Sequence, residues 1–305
     1  MKHLVSLGAA LFVLIFLFSQ LNANFLTQAN GLNVLEQITI NSLLAFGMTF
    51  VILLGGIDLS VGSVVALSGV TSVFVATFTG SSALGLASGV AAGACVGLCN
   101  GLFIGVAGLP PFIVTLGTMS IARGLAFVFT WENWGAPLDI DESHTALRAL
   151  ADYQIVFLLT VFIFSLVLLY QTRFGHYVFA IGGNREAARF TGLRITQTET
   201  LVYVLSGSFA GIAGVINASL LWSADPSSGQ MYELNAIAAV VVGGTSFTGG
   251  IGNLFGTLLG AMLIGVLGNG LNLLGVHFSM QHMVKGAVII FAVLVDVLRR
   301  RGRRT

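Results

Sequence analysis

Charge is what this sequence has least of. Asp, Glu, Lys and Arg make up 8% of its 305 residues, against roughly a quarter in a soluble globular domain. A domain kept in solution by a charged surface is therefore excluded. The net charge of +1 carries nothing by its sum, so only the distribution of charge along the chain is informative, and no nucleic-acid partner is expected. Cysteine is nearly absent too. Cys95 and Cys99 lie inside one apolar run, and their C-x-x-x-C spacing could hold a metal or a redox pair. In a glycine-rich helix within lipid they read as small packing residues, and no catalytic or metal site is assigned. Also missing is any G-x-x-x-x-G-K-[ST] phosphate loop, and no Gly-Lys pair occurs anywhere, so the chain lacks the parts to consume ATP itself.

What is present in abundance is apolar surface: 56% of residues are hydrophobic and the mean hydropathy is +0.95. Several uninterrupted apolar runs reach about 20 residues, the length a helix needs to cross a hydrocarbon core. The fold class expected is an all-α polytopic transmembrane bundle, one domain over 1–305. Ten spans are read near 4–21, 38–56, 61–79, 83–108, 111–130, 154–172, 198–221, 236–250, 253–274 and 283–298. The eighth is the weakest, because Gly243, Gly244, Gly249 and Gly250 break it before full length.

Cytoplasmic loops keep an excess of Lys and Arg, and two segments do so here. Segment 173–197 holds Arg173, Arg185, Arg189 and Arg194 against Glu186, and the tail 299–305 holds Arg299, Arg300, Arg301, Arg303 and Arg304. Segment 131–153 holds Glu132, Asp139, Asp141, Glu142 and Asp152 against Arg148, while 222–235 holds Asp225 and Glu233 with no basic residue. These two face outward. Ten spans satisfy this pattern from a cytoplasmic Lys2, with both termini inside. Lys2 with a long apolar run also fits a cleaved signal peptide, but its run of about 18 residues exceeds the usual 7 to 15, which favours a retained first span.

Two local patterns stand out. Gly85, Gly89, Gly93, Gly97, Gly101 and Gly105 recur every four residues, a spacing that lets helix backbones approach where lipid supplies no hydrophobic drive. Each four-residue step over-rotates by about 40°, so the stripe winds round the helix and must serve more than one neighbour; a pore lined by bare backbone is the alternative. The second pattern is the stretch AIGGNREAARFTGLRITQ, 180–197. Asn184 suits an N-cap, Glu186 the first turn and Gly192 the residue past the end. Two turns of helix fit between them. Ala187, Phe190 and Leu193 share one side, while Arg185 and Arg189 share another. Periodicity alone leaves two readings, a docking knob or a helix resting among lipid headgroups.

The segment RFGHYVFAIGGNREAARFTGL, running into VYVLSGSFAGIAGVI, resembles the coupling loop of ribose-type sugar permeases, the membrane subunits of ATP-binding-cassette importers. So do NSLLAFGMTFVILLGGIDLSVGSVVALSG at 41–69, YELNAIAAVVVGGTSFTGGIGN at 232–253 and GNGLNLLGVHFSMQHMVKGAVIIFAVLVD at 268–296. The likeness runs in order through the whole chain. One departure is Asn235, where the family usually has an aspartate, which removes a charge near the outer face. The resemblance implies a non-enzymatic transport subunit of a bacterial inner membrane that conducts a monosaccharide, ribose first. It also implies a homodimer, a soluble sugar-binding protein and a separate ATPase subunit that binds ATP and magnesium. The ATPase-coupling loop would comprise Gly182, Gly183, Asn184, Arg185, Glu186, Ala187, Ala188, Arg189, Phe190 and Gly192.

Asp58, Ser60, Asn100, Arg123 and Asn235 are the candidates for a translocation path or gate. A structural alternative has Asp58 capping the helix that starts near Leu59 and Arg123 bonded to helix-terminal carbonyls. An ion-coupled secondary transporter would need ionisable groups within the spans; those identified are Glu36, Asp58, Arg123 and Asp296, and no two acids share a span's centre. A passive channel would leave the apolar knob unexplained.

Overall fold

A computed structural model describes residues 2–133 and 135–301; Arg303 and Arg304 of the basic tail lie outside the described residues. The helices are α1 (Lys2–Leu21), α2 (Gln28–Leu53), α3 (Val61–Thr79), α4 (Ser82–Gly105), α5 (Pro111–Phe129), α6 (Thr145–Arg148), α7 (Gln154–Gln171), α8 (Arg173–Gly183), α9 (Arg185–Phe190), α10 (Ile195–Leu221), α11 (Tyr232–Val242), α12 (Leu254–Leu273) and α13 (Phe278–Arg301). Among the described residues eight helical stretches are long and apolar enough to cross a membrane. The chain is an all-α membrane bundle.

Two of the ten spans read in the sequence, 236–250 and 283–298, are not among these eight, the latter lying within α13, and α2 starts elsewhere than expected. Helix α2 begins ten residues earlier than 38, because Thr27 caps it by accepting from the Asn30 amide at 3.3 Å. Asn30, Asn33, Glu36 and Gln37 had diluted the apolar run there. The segment 236–250 is not a spanning helix. Helix α11 has 11 residues, about 16 Å of rise, half of a hydrocarbon core about 30 Å thick. Beyond it Gly244, Gly249 and Gly250 take the left-handed conformation, with φ of 94°, 82° and 73°, and the chain runs without regular structure to Asn253, which caps α12 by accepting from the Phe255 amide. The missing half of the crossing is the loop before α11. It turns back into the bundle, with Gly229 packed against Gly62 at the start of α3.

The loops sort to two ends. At one, β1 (Leu138–Asp139) pairs antiparallel with β2 (Ser223–Ala224), Leu138 opposite Ala224. There the Ile140 amide donates to the Trp222 carbonyl at 2.9 Å, and Ser219 Oγ donates to the Arg148 carbonyl at 3.0 Å. The two segments rich in acids thus meet each other. At the opposite end α8 meets the end of α2 and the loop joining α11 to α12.

Packing follows the glycines. A Cβ on Gly85 would meet Ser72 and Ala76 of α3, and one on Gly89 would meet both Ser68 of α3 and Val215 of α10. Gly93, Gly97, Gly101 and Gly105 lie against α10, at Gly207 and Gly211, Tyr203 and Val204, Thr200, and Thr196 respectively. The winding of a four-residue repeat sends the upper part of the stripe to one neighbour and the lower part to another. Helices α2 and α12 are joined by polar contacts instead. Asn30 and Asn269 exchange amide hydrogen bonds of 3.0 and 2.8 Å, and Thr49 and Thr257 hydroxyls lie 2.9 Å apart. All four groups are buried, where a polar atom without a partner is costly.

Candidate functional site

Three groups of polar residues sit in the bundle, and a fourth element projects from it. The projecting element is α8–α9. Helix α8 buries Val178 and Ile181 and ends at Gly182 and Gly183. Asn184 opens α9 by accepting from the Ala187 amide at 2.9 Å. Gly192, at φ 77°, closes it, and the Leu193 amide donates back to the Ala188 carbonyl at 3.2 Å. This left-handed glycine termination satisfies carbonyls the helix end would leave unpaired. Ala188 turns inward and is buried, while Glu186, Ala187 and Arg189 are exposed and Phe190 is 86% exposed. Among the described residues nothing covers this phenylalanine ring or the exposed alanine beside it, at the end of the molecule away from the acidic loops.

What holds α9 to the bundle was not visible in the sequence. Arg185 forks onto Glu199 in the second turn of α10: Nη1 bonds to Oε1, and Nη2 donates to Oε2 at 3.1 Å. The Glu199 side chain is 6% exposed and that of Arg185 57%. The hydrogen bond to Glu199 raises the guanidinium above its ordinary value. A lone acid among threonines and glutamine at the start of a span, with its partner 14 positions upstream, has no helical spacing to betray it. Its place just after a basic loop was the available signal.

Asp58, Ser60 and Asn100 come together. Asp58 Oδ1 accepts from the Ser60 amide at 3.0 Å and from Ser60 Oγ at 2.6 Å, closing a turn ahead of α3, and its Oδ2 accepts from Ser206 Oγ of α10 at 2.8 Å. Asn100 Nδ2 donates to Ser60 Oγ at 3.0 Å and its Oδ1 accepts from Thr118 Oγ1 at 2.7 Å. One buried chain of hydrogen bonds therefore ties the α2–α3 loop to α4, α5 and α10. Arg123 is elsewhere. Its Nη1 donates to the carbonyls of Pro226 and Ser228, each at 2.6 Å, so its partners belong to the loop before α11 and not to a helix end.

Asn235 lies in a third place, a cavity of about 340 Å³, within the range of small-molecule sites. Its polar lining is Glu36, Gln37 and Asn41 of α2, Asn217 of α10, Tyr232 and Asn235 of α11, Asn272 of α12, and Gln281 and Lys285 of α13. Gly265 and Gly268 leave part of the α12 wall without side chains. Carboxamides dominate, and each offers donors and an acceptor. Of the five path candidates read from the sequence only Asn235 reaches this cavity. The rest of its lining is scattered over five helices.

A model of the family described as branched-chain amino acid transport system / permease component matches residues 30–293. The chain belongs to that family. The permease is 45% identical to the ribose import permease protein RbsC of Bacillus subtilis strain 168, over 94% of this chain and 90% of the relative. It is 41% identical to the ribose import permease protein RbsC of Escherichia coli strain K12, over 94% and 91%. Against the D-allose transport system permease protein AlsC of the same strain the identity is 36%, over 94% and 89%. No solved structure matches it. The permease is a multi-pass transport subunit of a bacterial inner membrane, not an enzyme.

Proposed function

We propose that the permease conducts a monosaccharide, ribose first, inward through the cavity at Asn235, driven by a separate ATPase that docks on α8–α9. The observation that carries this is the lining. Seven of its nine polar groups are neutral, and Glu36 and Lys285 carry opposite charges that sum to zero. Such a wall suits an uncharged solute with many hydroxyls, each of which loses water on entering and needs a donor or acceptor in return. Relatives named for ribose and allose, both neutral sugars, support the same class.

In this reading one domain, 1–305, presents segment 173–197 to the cytoplasm as the coupling loop, with Phe190 and Ala187 as its contact. The tail 299–305 faces the same side. Segments 131–153 and 222–235 face outward and receive a soluble sugar-binding protein. Two copies assemble, with lipid around the exposed apolar side chains of α1 and α5, and ATP and magnesium stay on the ATPase. The Asp58–Ser60–Asn100 chain and the Arg123 clamp hold the walls of the path and do not touch sugar.

The test is reconstitution of the complete complex and measurement of ATP hydrolysis with ribose, xylose, galactose and allose in turn. Stimulation by ribose above the other sugars is expected. Stimulation by none of them, or by a charged solute, would contradict the reading.

A further inference from the structure

Three backbones meet at the end of the bundle opposite the acidic loops, with no side chain between them. The first is the end of α8, where a Cβ added to Gly182 would fall on the Leu53 carbonyl oxygen and 2.7 Å from the Gly250 nitrogen. The second is Leu53, the last residue of α2. The third is the loop joining α11 to α12, whose Gly250 amide donates to the Leu53 carbonyl at 2.8 Å. A Cβ on Gly249 would meet the Gly182 carbonyl oxygen at 2.8 Å, and one on Gly250 would meet Gly183 Cα at 2.6 Å. Contacts this close fall below the distances real Cβ atoms keep, and backbone atoms cannot swing aside as a side chain can.

Three of the five helices that line the cavity, α2, α11 and α12, end or begin at this joint. Helix α2 supplies Glu36, Gln37 and Asn41, α11 supplies Tyr232 and Asn235, and α12 supplies Gly265, Gly268 and Asn272. A further contact tightens the same foot: the Leu254 amide, first in α12, donates to the Tyr170 hydroxyl at the end of α7 at 3.2 Å. Helix α8 stacks on this foot through Phe174 on Phe50 of α2 and Phe179 on Tyr170, with ring centroids 6.2 and 6.3 Å apart. Close-packed interfaces transmit displacement because they do not deform continuously.

We infer that Gly182 and Gly250 are positioning residues for transport: their bare backbones lock α8 to α2 and to the α11–α12 loop, so that displacement of α8–α9 moves three walls of the cavity together. The inference rests on the proposed coupling role of α8–α9. Movement of α9 relative to the rest of the molecule would otherwise be absorbed at the Gly182–Asn184 corner and never reach Asn235.

A glycine outside the joint supplies the control. A Cβ on Gly117 of α5 meets nothing within 4 Å, so Gly117→Ala adds the same methyl group without touching the joint or the coupling loop. The experiment uses the full complex in liposomes and reads sugar taken up per ATP hydrolysed for the parent, Gly182→Ala and Gly117→Ala. Gly182→Ala is expected to keep the ATPase bound and ATP hydrolysis running while uptake per ATP falls about tenfold or more, and Gly117→Ala should match the parent. Equal ratios in all three, or equal loss in both variants, would overturn the inference. Should Gly182→Ala fail to assemble, spin labels on Gly183→Cys and Thr248→Cys decide: their separation should stay constant between nucleotide-free and ATP-trapped complexes, and a change would sink the joint. A parent complex without sugar-stimulated hydrolysis would instead refute the functional reading itself.

Discussion

Replacing Arg185 with alanine should loosen α9 far more than its exposed position suggests. An ion pair fully in solvent contributes about 0 to 1 kcal/mol, whereas removing one partner of a fully buried pair costs about 3 to 5 kcal/mol. This pair lies between those limits, with one side chain 57% exposed and the other 6%. Arg185→Ala strands the Glu199 carboxylate inside the bundle with both oxygens losing a charged donor. The expected cost is about 1 to 3 kcal/mol, a roughly 5- to 150-fold rise in the open population of the arm. Hydrogen exchange across 184–194 in the intact permease reads this directly. Glu199→Gln added to Arg185→Ala removes the stranded charge and should restore more than half of the lost protection, the non-additivity that marks a direct contact. Unchanged exchange in Arg185→Ala, or no recovery in the double variant, would refute the anchoring argument.

Ala187→Asp places an acid beside the free Phe190 ring and should abolish co-purification of the ATPase, or its stimulation by sugar-loaded binding protein, while membrane yield is kept; parental uptake in vesicles would make α9 a lipid-surface helix. Gly97→Val pushes a side chain into the Tyr203 and Val204 backbone of α10, a clash of the kind that costs about 1 to 3 kcal/mol. Folded yield in detergent should fall, and normal yield would show that the α4–α10 seam tolerates separation. Ser143→Cys should react with a membrane-impermeant thiol reagent added outside cells and Thr191→Cys should not; the reverse pattern would invert the topology.

Much of the bundle was legible because lipid-crossing helices carry their own signal. Helix α3 matches its apolar run of 61–79 at both ends, and α5 starts at Pro111, which suits the first turn of a helix. Where polar side chains face inward the signal fails. Asn30 and Asn269 are satisfied by each other across 239 positions, and in the sequence they only lower the hydropathy of α2. The half-helix α11 was blurred for a related reason: its glycines mark a break, but the loop that completes the crossing, 225–231, reads as an ordinary outer loop. Its anchorage to Arg123 is a tertiary fact. The cavity was the least legible feature, since its carboxamides come from segments near positions 37, 217, 235, 272 and 281 and no local spacing unites them. Asn235 drew notice only by its departure from the family's usual residue, and Lys285 drew none as a member of a site.

The central claim is that this chain moves a neutral sugar only when an ATPase moves its α8–α9 arm. The most direct measurement is uptake of labelled ribose into liposomes, with the permease alone under imposed proton and sodium gradients and with the complete complex, binding protein and ATP. The account predicts uptake by the complex that requires ATP hydrolysis, and none by the permease alone under either gradient. Gradient-driven or passive ribose flux through the permease alone would contradict it.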